Sequence, residues 1–409
     1  MNILQLNTYI TTNGGSETVM ENFGLLLRAE GHTVMNMGFE SVKVKHFMTE
    51  PISLGVEKIE LKSFFFNKKL VDKIINTIHE NGIGLVICHN VYHKYPIADL
   101  LQAIKEKTAA TLMMVFHDYK AVCPRNNLYD GKNICTACAG GKFYQVALHK
   151  CRFGSFLHSS LLAVESYYNN SLRHAYQYPD ILLSPSYFLA GQFAQMGFKR
   201  PIQVLHNPIE VDKVPRLPLK TNVERRFLYA GRFTKDKGLE LYLSLPGKFP
   251  DSTFFIAGHG EMEEEVRKAA ATYTNLVYLG VLNKRDLFHQ FRQTDFLVLP
   301  AIWYENNPMI IIEAMTSGLP VIASQLGGIP ELLAEGRGIL FDPYKKGSIE
   351  QAVKTAAQLP MDPYRLMVEK ARLFAEDLDF QRYYEKLKKL IPALEKSVPV
   401  ETKLITSGI

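Results

Sequence analysis

Glu305 and Glu313 stand eight positions apart in a stretch that runs from Ala301 to Gly318. The first falls in a polar loop just after the apolar run Phe296–Pro300, and the second two turns into the helix expected next. A loop carboxylate beside a helix N-terminus, with a second carboxylate further along that helix, can accept hydrogen bonds from the hydroxyls of a sugar and of a ribose. The helix end between them offers unpaired backbone N–H groups and a partial positive charge, which suit a phosphate. Together these features fit a nucleotide-sugar.

The elements that must position this pair read as short apolar strands alternating with helices. Asn2–Asn7 is a strand, followed by a turn and a helix expected to open at Ser16 as its cap. Val19, Met20, Phe23, Leu26 and Leu27 keep the helical period, and Gly31 is a natural stop. Leu85–Cys88, Thr111–Phe116 and Ile181–Ser184 are further buried strands. The alternation resumes with Phe227–Ala230, Thr253–Ala257, Leu276–Leu279, Phe296–Leu299 and Pro320–Ala323. Such a pattern predicts an α/β protein with two doubly wound, Rossmann-like parallel-sheet domains facing a cleft. The expected boundaries are 1–206 for the first domain, with a cysteine-rich insertion at 120–152, and 226–376 for the second. Between them, 207–225 holds Pro208, Pro215 and Pro218 and reads as an extended linker. The tail, 377–409, is helical and charged and could cross back onto the first domain.

With 47% apolar and 22% charged residues, the chain has the composition of a globular protein. No apolar run approaches the ~20 residues of a membrane span. Met1–Asn7 reads as a strand without a basic leader, so no signal peptide is expected and a cytoplasmic location follows. The formal net charge of +6 falls mainly in the first half. That suits an anionic membrane surface at the inner face, or a phosphate-bearing acceptor, as well as an ordinary solvated surface. The lysines are dispersed without interleaved aromatics, which excludes a nucleic-acid stripe.

Further motifs carry a resemblance. In order, they are Gly14-Gly15 with Glu17, His117-Asp118, His206-Asn207-Pro208, Gly231-Arg232 with Lys237-Gly238, the Glu305/Glu313 pair, and Gly318 to Ala323 with Gly327 to Glu331. In this order and spacing the chain resembles the retaining glycosyltransferases of the GT-B fold, the family-four group known as glycosyl transferases group 1. Bacterial polysaccharide and glycolipid enzymes are among its members. The resemblance implies that Arg232 and Lys237 grip a donor diphosphate and that Glu313 binds the ribose. It implies that Glu305, with backbone groups of Asn306, Asn307, Pro308 and Met309, holds the transferred sugar. His117 would contact that sugar from the opposite domain, Gly15 would let the first loop approach the phosphates, and Leu282 would lie where the base is cradled. It further implies a UDP-sugar or related donor, a glycan or lipid-linked acceptor, and catalysis without a metal cofactor. A sugar-nucleotide epimerase or hydrolase on the same scaffold, and a non-catalytic binding protein, are the rival readings.

Some residues admit a plainer account. His117 is also compatible with a satisfied core histidine, and Asp118 with a residue that only orients its loop. Gly258-His-Gly260 follows a strand, but the dinucleotide fingerprint needs a glycine where Glu263 stands, so a dehydrogenase is set aside. Asp377-Leu-Asp379 reads as a helix cap. Cys123, Cys135, Cys138 and Cys151 cluster in one segment poor in large apolar residues, whereas Cys88 reads as strand core. Four clustered thiols in a cytosolic chain suit a structural Zn²⁺, with His149 as a substitute ligand, against free or redox-active thiols. Phe143–Tyr178 is rich in aromatic and apolar residues, and reads either as helices closing the first core or as a membrane-facing surface.

Overall fold

The computed structural model describes residues 1–11, 14–40, 48–56, 65–130, 133–211 and 225–395. Most of the expected linker, part of the insertion and the end of the tail therefore lie outside the described residues. Two parallel sheets organise the chain. The first holds β1 (Asn2–Tyr9), β2 (Thr33–Glu40), β3 (Pro51–Val56), β4 (Ile83–Cys88), β5 (Thr111–Val115), β6 (Ile181–Ser184) and β7 (Gln203–Val204). Their order is β3-β2-β1-β4-β5-β6-β7. The second holds β8 (Arg226–Ala230), β9 (Thr253–Ala257), β10 (Leu276–Tyr278), β11 (Phe296–Leu299), β12 (Val321–Ser324) and β13 (Gly338–Phe341) in the order β10-β9-β8-β11-β12-β13. Strand order reverses between β1 and β4, and again between β8 and β11. In open parallel sheets, ligands bind at such switch points, outside the strand C-termini.

Burial explains the strand sequences. Leu297 and Leu299 of β11 pack in one core while Phe296 and Val298 pack in another, so both faces of the strand are covered and the run is continuously apolar. In β1, Leu4 and Leu6 face one core and Ile3 the other.

The first helix spans Gly15–Ala29, and its N-cap is Gly14, with no side-chain cap. Ser16 is thus a residue of the first turn, not the cap the sequence suggested. The physical reason is that Gly14, Gly15 and Ser16 line the interdomain cleft, where an uncapped helix end faces open space. The stop at Gly31 follows expectation: the helix ends at Ala29 and Gly31 takes φ +82°.

At the far end of the chain, the helix Phe380–Leu390 packs on the first helix. The Phe23 and Tyr383 rings meet edge to face at 5.6 Å, and His32 Nε2 lies 2.7 Å from the Tyr384 hydroxyl. Asp379 precedes this helix. It makes no side-chain cap bond there; its Oδ1 accepts from Val211 N at 3.2 Å, and its backbone bridges Ile209. The tail and the start of the linker are therefore joined side by side.

Candidate functional site

The loops after β1, β5, β8, β9 and β11 open onto one cleft of about 650 Å³. Every residue expected to bind the donor lines it: Gly15, His117, Arg232, Lys237, Leu282, Glu305, Asn306, Asn307, Pro308, Met309 and Glu313.

On the second-domain side, close backbone approaches set the geometry. Gly238 takes φ +68°, and a Cβ there would overlap the Pro300 carbonyl oxygen, so only glycine lets the Lys235–Lys237 turn lie against the end of β11. Gly327 and Gly328 press in the same way on the backbone of Glu305 and Asn306, and Gly328 N donates to Glu305 O at 2.6 Å. These contacts pin the Glu305 loop. The buried Glu305 carboxylate accepts from Lys237 Nζ and, at 2.8 Å, from Trp303 Nε1, while the ammonium sits 5.1 Å from the Trp303 ring centroid. Glu305 and Lys237 thus form a fixed pair inside the cleft, an arrangement the separate roles inferred from the sequence did not include.

The helix Met309–Thr316 begins next to them at Pro308. No side chain caps it, and no acidic residue occupies its first turn. Its positive end is therefore left for an anionic ligand. Arg232 is solvent-exposed at the cleft and has no carboxylate partner among the described residues. Across the gap stands Glu17, whose carboxyl is raised above its ordinary range by burial and lowered in part by hydrogen bonds and by Arg232. Glu313 lies on the same helix, deeper in the cleft. Burial raises its carboxyl above the ordinary range, with Lys284 opposing, and among the described residues nothing hydrogen-bonds to it. An unpartnered carboxylate in a low-dielectric cleft is costly, which suits a group held for ligand hydroxyls.

The two domains touch through this loop. Asn306 Nδ2 donates to His117 O at 2.7 Å, and its Oδ1 is buried without a partner among the described residues. Asn307 is committed differently. Its Oδ1 accepts from Asn207 N at 3.2 Å, its backbone oxygen accepts from Asn207 Nδ2 at 3.3 Å, and its Nδ2 lies 3.1 Å from His206 Nδ1. The ring contact of Phe188 with Tyr304 at 4.7 Å and the bond from Tyr187 N to Glu331 Oε2 at 3.0 Å add to this bridge.

His117 belongs to a relay whose proton positions follow from its amides. Asn36 Nδ2 donates to Thr49 O at 2.8 Å, so Asn36 Oδ1 faces Gln5 Nε2 at 2.9 Å; that nitrogen also donates to Met20 O at 3.0 Å. Gln5 Oε1 must then accept from His89 Nε2–H at 3.0 Å, which leaves His89 Nδ1 as the acceptor for His117 Nε2–H at 2.8 Å. His117 is therefore assigned the tautomer with a lone pair on Nδ1. Burial lowers its pKa to about 4, and burial with the neighbouring His117 lowers that of His89 well below its ordinary value, so both rings are neutral at pH 7. Asp118 is held by the Tyr92 hydroxyl, by Lys120 N at 2.9 Å and by Asn126 Nδ2 at 3.1 Å. That is the geometry of a residue that orients its loop.

Gly258, of the glycine pair set aside above, serves packing: a Cβ there would overlap Gly231 O. Cys88 is fully buried. The four clustered cysteines are unpaired and line one small cavity, while the donor atoms of Asp130, Cys135 and His149 lie within 4.8 Å of one another. The sequence reading missed Trp303, Tyr119, Asn126, Asn127, Gln5 and His89. Trp303 carried a signal, being the single tryptophan of the chain and two positions from Glu305. The Gln5–His89 pair carried none, since its members are 84 residues apart.

This two-sheet fold with its interdomain cleft is the GT-B architecture, and residues 213–374 match the family described as Glycosyl transferases group 1, as the motifs implied. Among curated proteins, the sulfoquinovosyl transferase SQD2 of Arabidopsis thaliana is 33% identical over 31% of this chain and 24% of its own. The O-antigen biosynthesis glycosyltransferase WbnH of Escherichia coli is 29% identical over 37% of this chain and 48% of its own. The chain thus spans about a quarter and about half of these relatives. Among solved structures, the sucrose-phosphate synthase of Thermosynechococcus elongatus superposes with a TM-score of 0.69 at 16% identity, covering 96% of this chain and 99% of that one. HepE of Anabaena, in complex with UDP-glucose, gives 0.67 at 17% identity, covering 96% and 100%. At these identities the likeness establishes the fold.

Proposed function

We propose that the chain is a retaining glycosyltransferase that moves a hexose-type sugar from a nucleoside diphosphate, with uridine favoured, to a glycan or lipid-linked saccharide of surface polysaccharide assembly. The observation that carries this reading is the convergence of Arg232, Lys237, the uncapped start of the helix Met309–Thr316 and the unpartnered Glu313 in one cleft opposite His117. The HepE complex with UDP-glucose supports the donor class, and the O-antigen relative supports the pathway class.

In this reading the Arg232 fork and the helix end hold the diphosphate, and Lys237 bridges it to Glu305. Glu313 accepts from the ribose hydroxyls, and Leu282 lies under the base. Glu305 and the buried Asn306 Oδ1 face the sugar hydroxyls, and His117 Nδ1 accepts from one of them. As the bond from the anomeric carbon to the phosphate oxygen breaks, positive charge grows on the sugar and negative charge on the leaving diphosphate. The two cations and the helix dipole stabilise the latter without reorganising. The acceptor oxygen then bonds the anomeric carbon from the same face, and the departing phosphate oxygen takes its proton. Glu305 is not the covalent nucleophile of this scheme: its carboxylate is engaged by Lys237 and Trp303, and a hydrolase-type pair needs a second carboxylate ~5 Å away. No metal is required at the reacting centre, because the charge is met by side chains.

No helix of the described residues is long and apolar enough to cross a membrane. Peripheral contact is supported by the outer side of the segment around the helix Phe156–Tyr167. There Leu148, Phe153, Phe156 and Leu157 are 57–76% exposed, and Lys142, Lys150 and Arg152 are exposed beside them. Its inner face, with Leu162 and Ala163, closes the first core. Apolar side chains ringed by lysine and arginine suit an anionic bilayer surface. Flotation with anionic vesicles at low salt tests this, and an absence of binding would remove it.

The donor reading is tested by a thermal-shift panel of nucleoside diphosphates and their sugars, followed by NMR of the anomer released during slow turnover with water. Stabilisation by one nucleoside diphosphate and its sugar, with the configuration kept, is expected. No shift with any of them, or an inverted product, would overturn the proposal.

A further inference from the structure

We propose that the insertion after β5 is a zinc site, with one ion held by the sulfurs of Cys123, Cys135, Cys138 and Cys151. Three separate stretches of chain bring these residues together. Cys123 N and Val122 N both bond Tyr119 O, closing a turn after the strand. Cys135 N donates to Leu128 O at 2.7 Å beside the antiparallel bridge of Tyr129 with Ile134, and Cys151 N donates to Val146 O at 3.1 Å. The four cysteines line a cavity of about 20 Å³, closed by Arg125, Leu128, Val146 and Met196. That is space for a single ion.

The backbone after Cys123 folds back on it, with Asn126 N donating to Cys123 O at 2.8 Å. Asn126 and Leu128 take φ +75° and +49°, the left-handed region, which for a leucine carries strain. Asp130 and His149 stand close to Cys135 and offer a competing oxygen–nitrogen–sulfur set, but His149 is solvent-exposed, whereas Cys123 and Cys138 are buried. Zn²⁺ accepts four thiolates in a closed tetrahedral site.

The consequence reaches the cleft. Asn126 and Asn127, on the turn that follows Cys123, line the central cavity, so the ion would anchor the wall beside His117.

The test is metal analysis of the full chain purified under reducing conditions and supplied with zinc. About one zinc per chain is expected, lost in Cys138→Ser and kept in His149→Ala. Cobalt in its place should give sulfur-to-metal charge-transfer absorption and tetrahedral bands. Because a cysteine variant can fail to fold, the unaltered protein supplies a second readout: a strong chelator should lower Tm, and added zinc should restore it. Protein that takes up no zinc and keeps its Tm in chelator overturns the proposal. So does a thiol titration that finds disulfides, or zinc lost in His149→Ala but kept in Cys138→Ser.

Discussion

Glu313→Gln separates a binding carboxylate from a structural one. In the free protein the carboxylate lies in the cleft with burial raising its pKa, Lys284 opposing, and no hydrogen-bond donor among the described residues. Replacing it removes an uncompensated charge and breaks no protein contact, so Tm should hold or rise. In the proposed complex, the same carboxylate accepts from ribose hydroxyls. Each such bond to a charged acceptor is worth ~1.5–3 kcal/mol, so loss of ~3 kcal/mol net is expected, on the order of 100-fold in Kd. Calorimetric titration with a nucleoside diphosphate and its 2′-deoxy analogue gives the decisive comparison. The native protein should prefer the ribose form by roughly tenfold, the value of ~1.4 kcal/mol, and the variant should bind both alike. Acidification through the raised pKa should mimic the variant, since a protonated carboxyl accepts more weakly. Equal losses for ribose and deoxyribose ligands, or a marked fall in Tm without ligand, would refute the assignment.

Three other outcomes are expected. Glu305→Ala should lower kcat by more than tenfold and leave affinity for the diphosphate unchanged or higher, because Lys237 loses its partner; steady-state kinetics beside calorimetry check this, and unimpaired turnover would remove Glu305 from the site. Lys120→Met should cost about 3–5 kcal/mol in denaturant unfolding, since it strands the buried Glu165, whose carboxylate lies 2.7 Å from Lys120 Nζ; although burial acts to raise the Glu165 pKa, Lys120 and His93 bring it down to about 2, so the stability it gives is present above pH ~4.5 and is lost as pH falls toward 2. His32, His89, His93, His117 and His206 all have pKa values lowered by burial, to about 4 for His32 and His117, so their contribution is complete above pH ~6.5 and is lost as pH falls toward 4; Tm should therefore decline steadily from pH 7 to pH 5, and a flat profile would contradict those environments.

What the sequence disclosed was mostly what depends on local pattern. Strands with both faces buried, such as Ile181–Ser184 and Phe296–Leu299, are continuous apolar runs and were legible to the residue. Thr33–Glu40 and Pro51–Val56 were not: they lie at the outer end of the first sheet and mix Thr, Asn, Ser and Gly with their apolar residues. The helix boundary at Gly14 went unread because a side-chain cap is the local expectation, and a cleft, invisible in sequence, replaces it. Of the site, residue types and order were readable, but pairings were not. That Lys237 meets Glu305, that Asn307 is spent on Asn207, and that Gln5 fixes a histidine tautomer through His89 all depend on contacts between distant segments.

The most direct test of the account compares a nucleoside, its monophosphate and its diphosphate by calorimetry on the native protein and on Arg232→Ala and Lys237→Ala. Affinity should climb with each phosphate in the native protein, and most of the gain from the diphosphate should vanish in both variants. A native protein that binds nucleoside and nucleoside diphosphate equally well, or variants that keep the full gain, would contradict the claim that this cleft is built around a departing diphosphate.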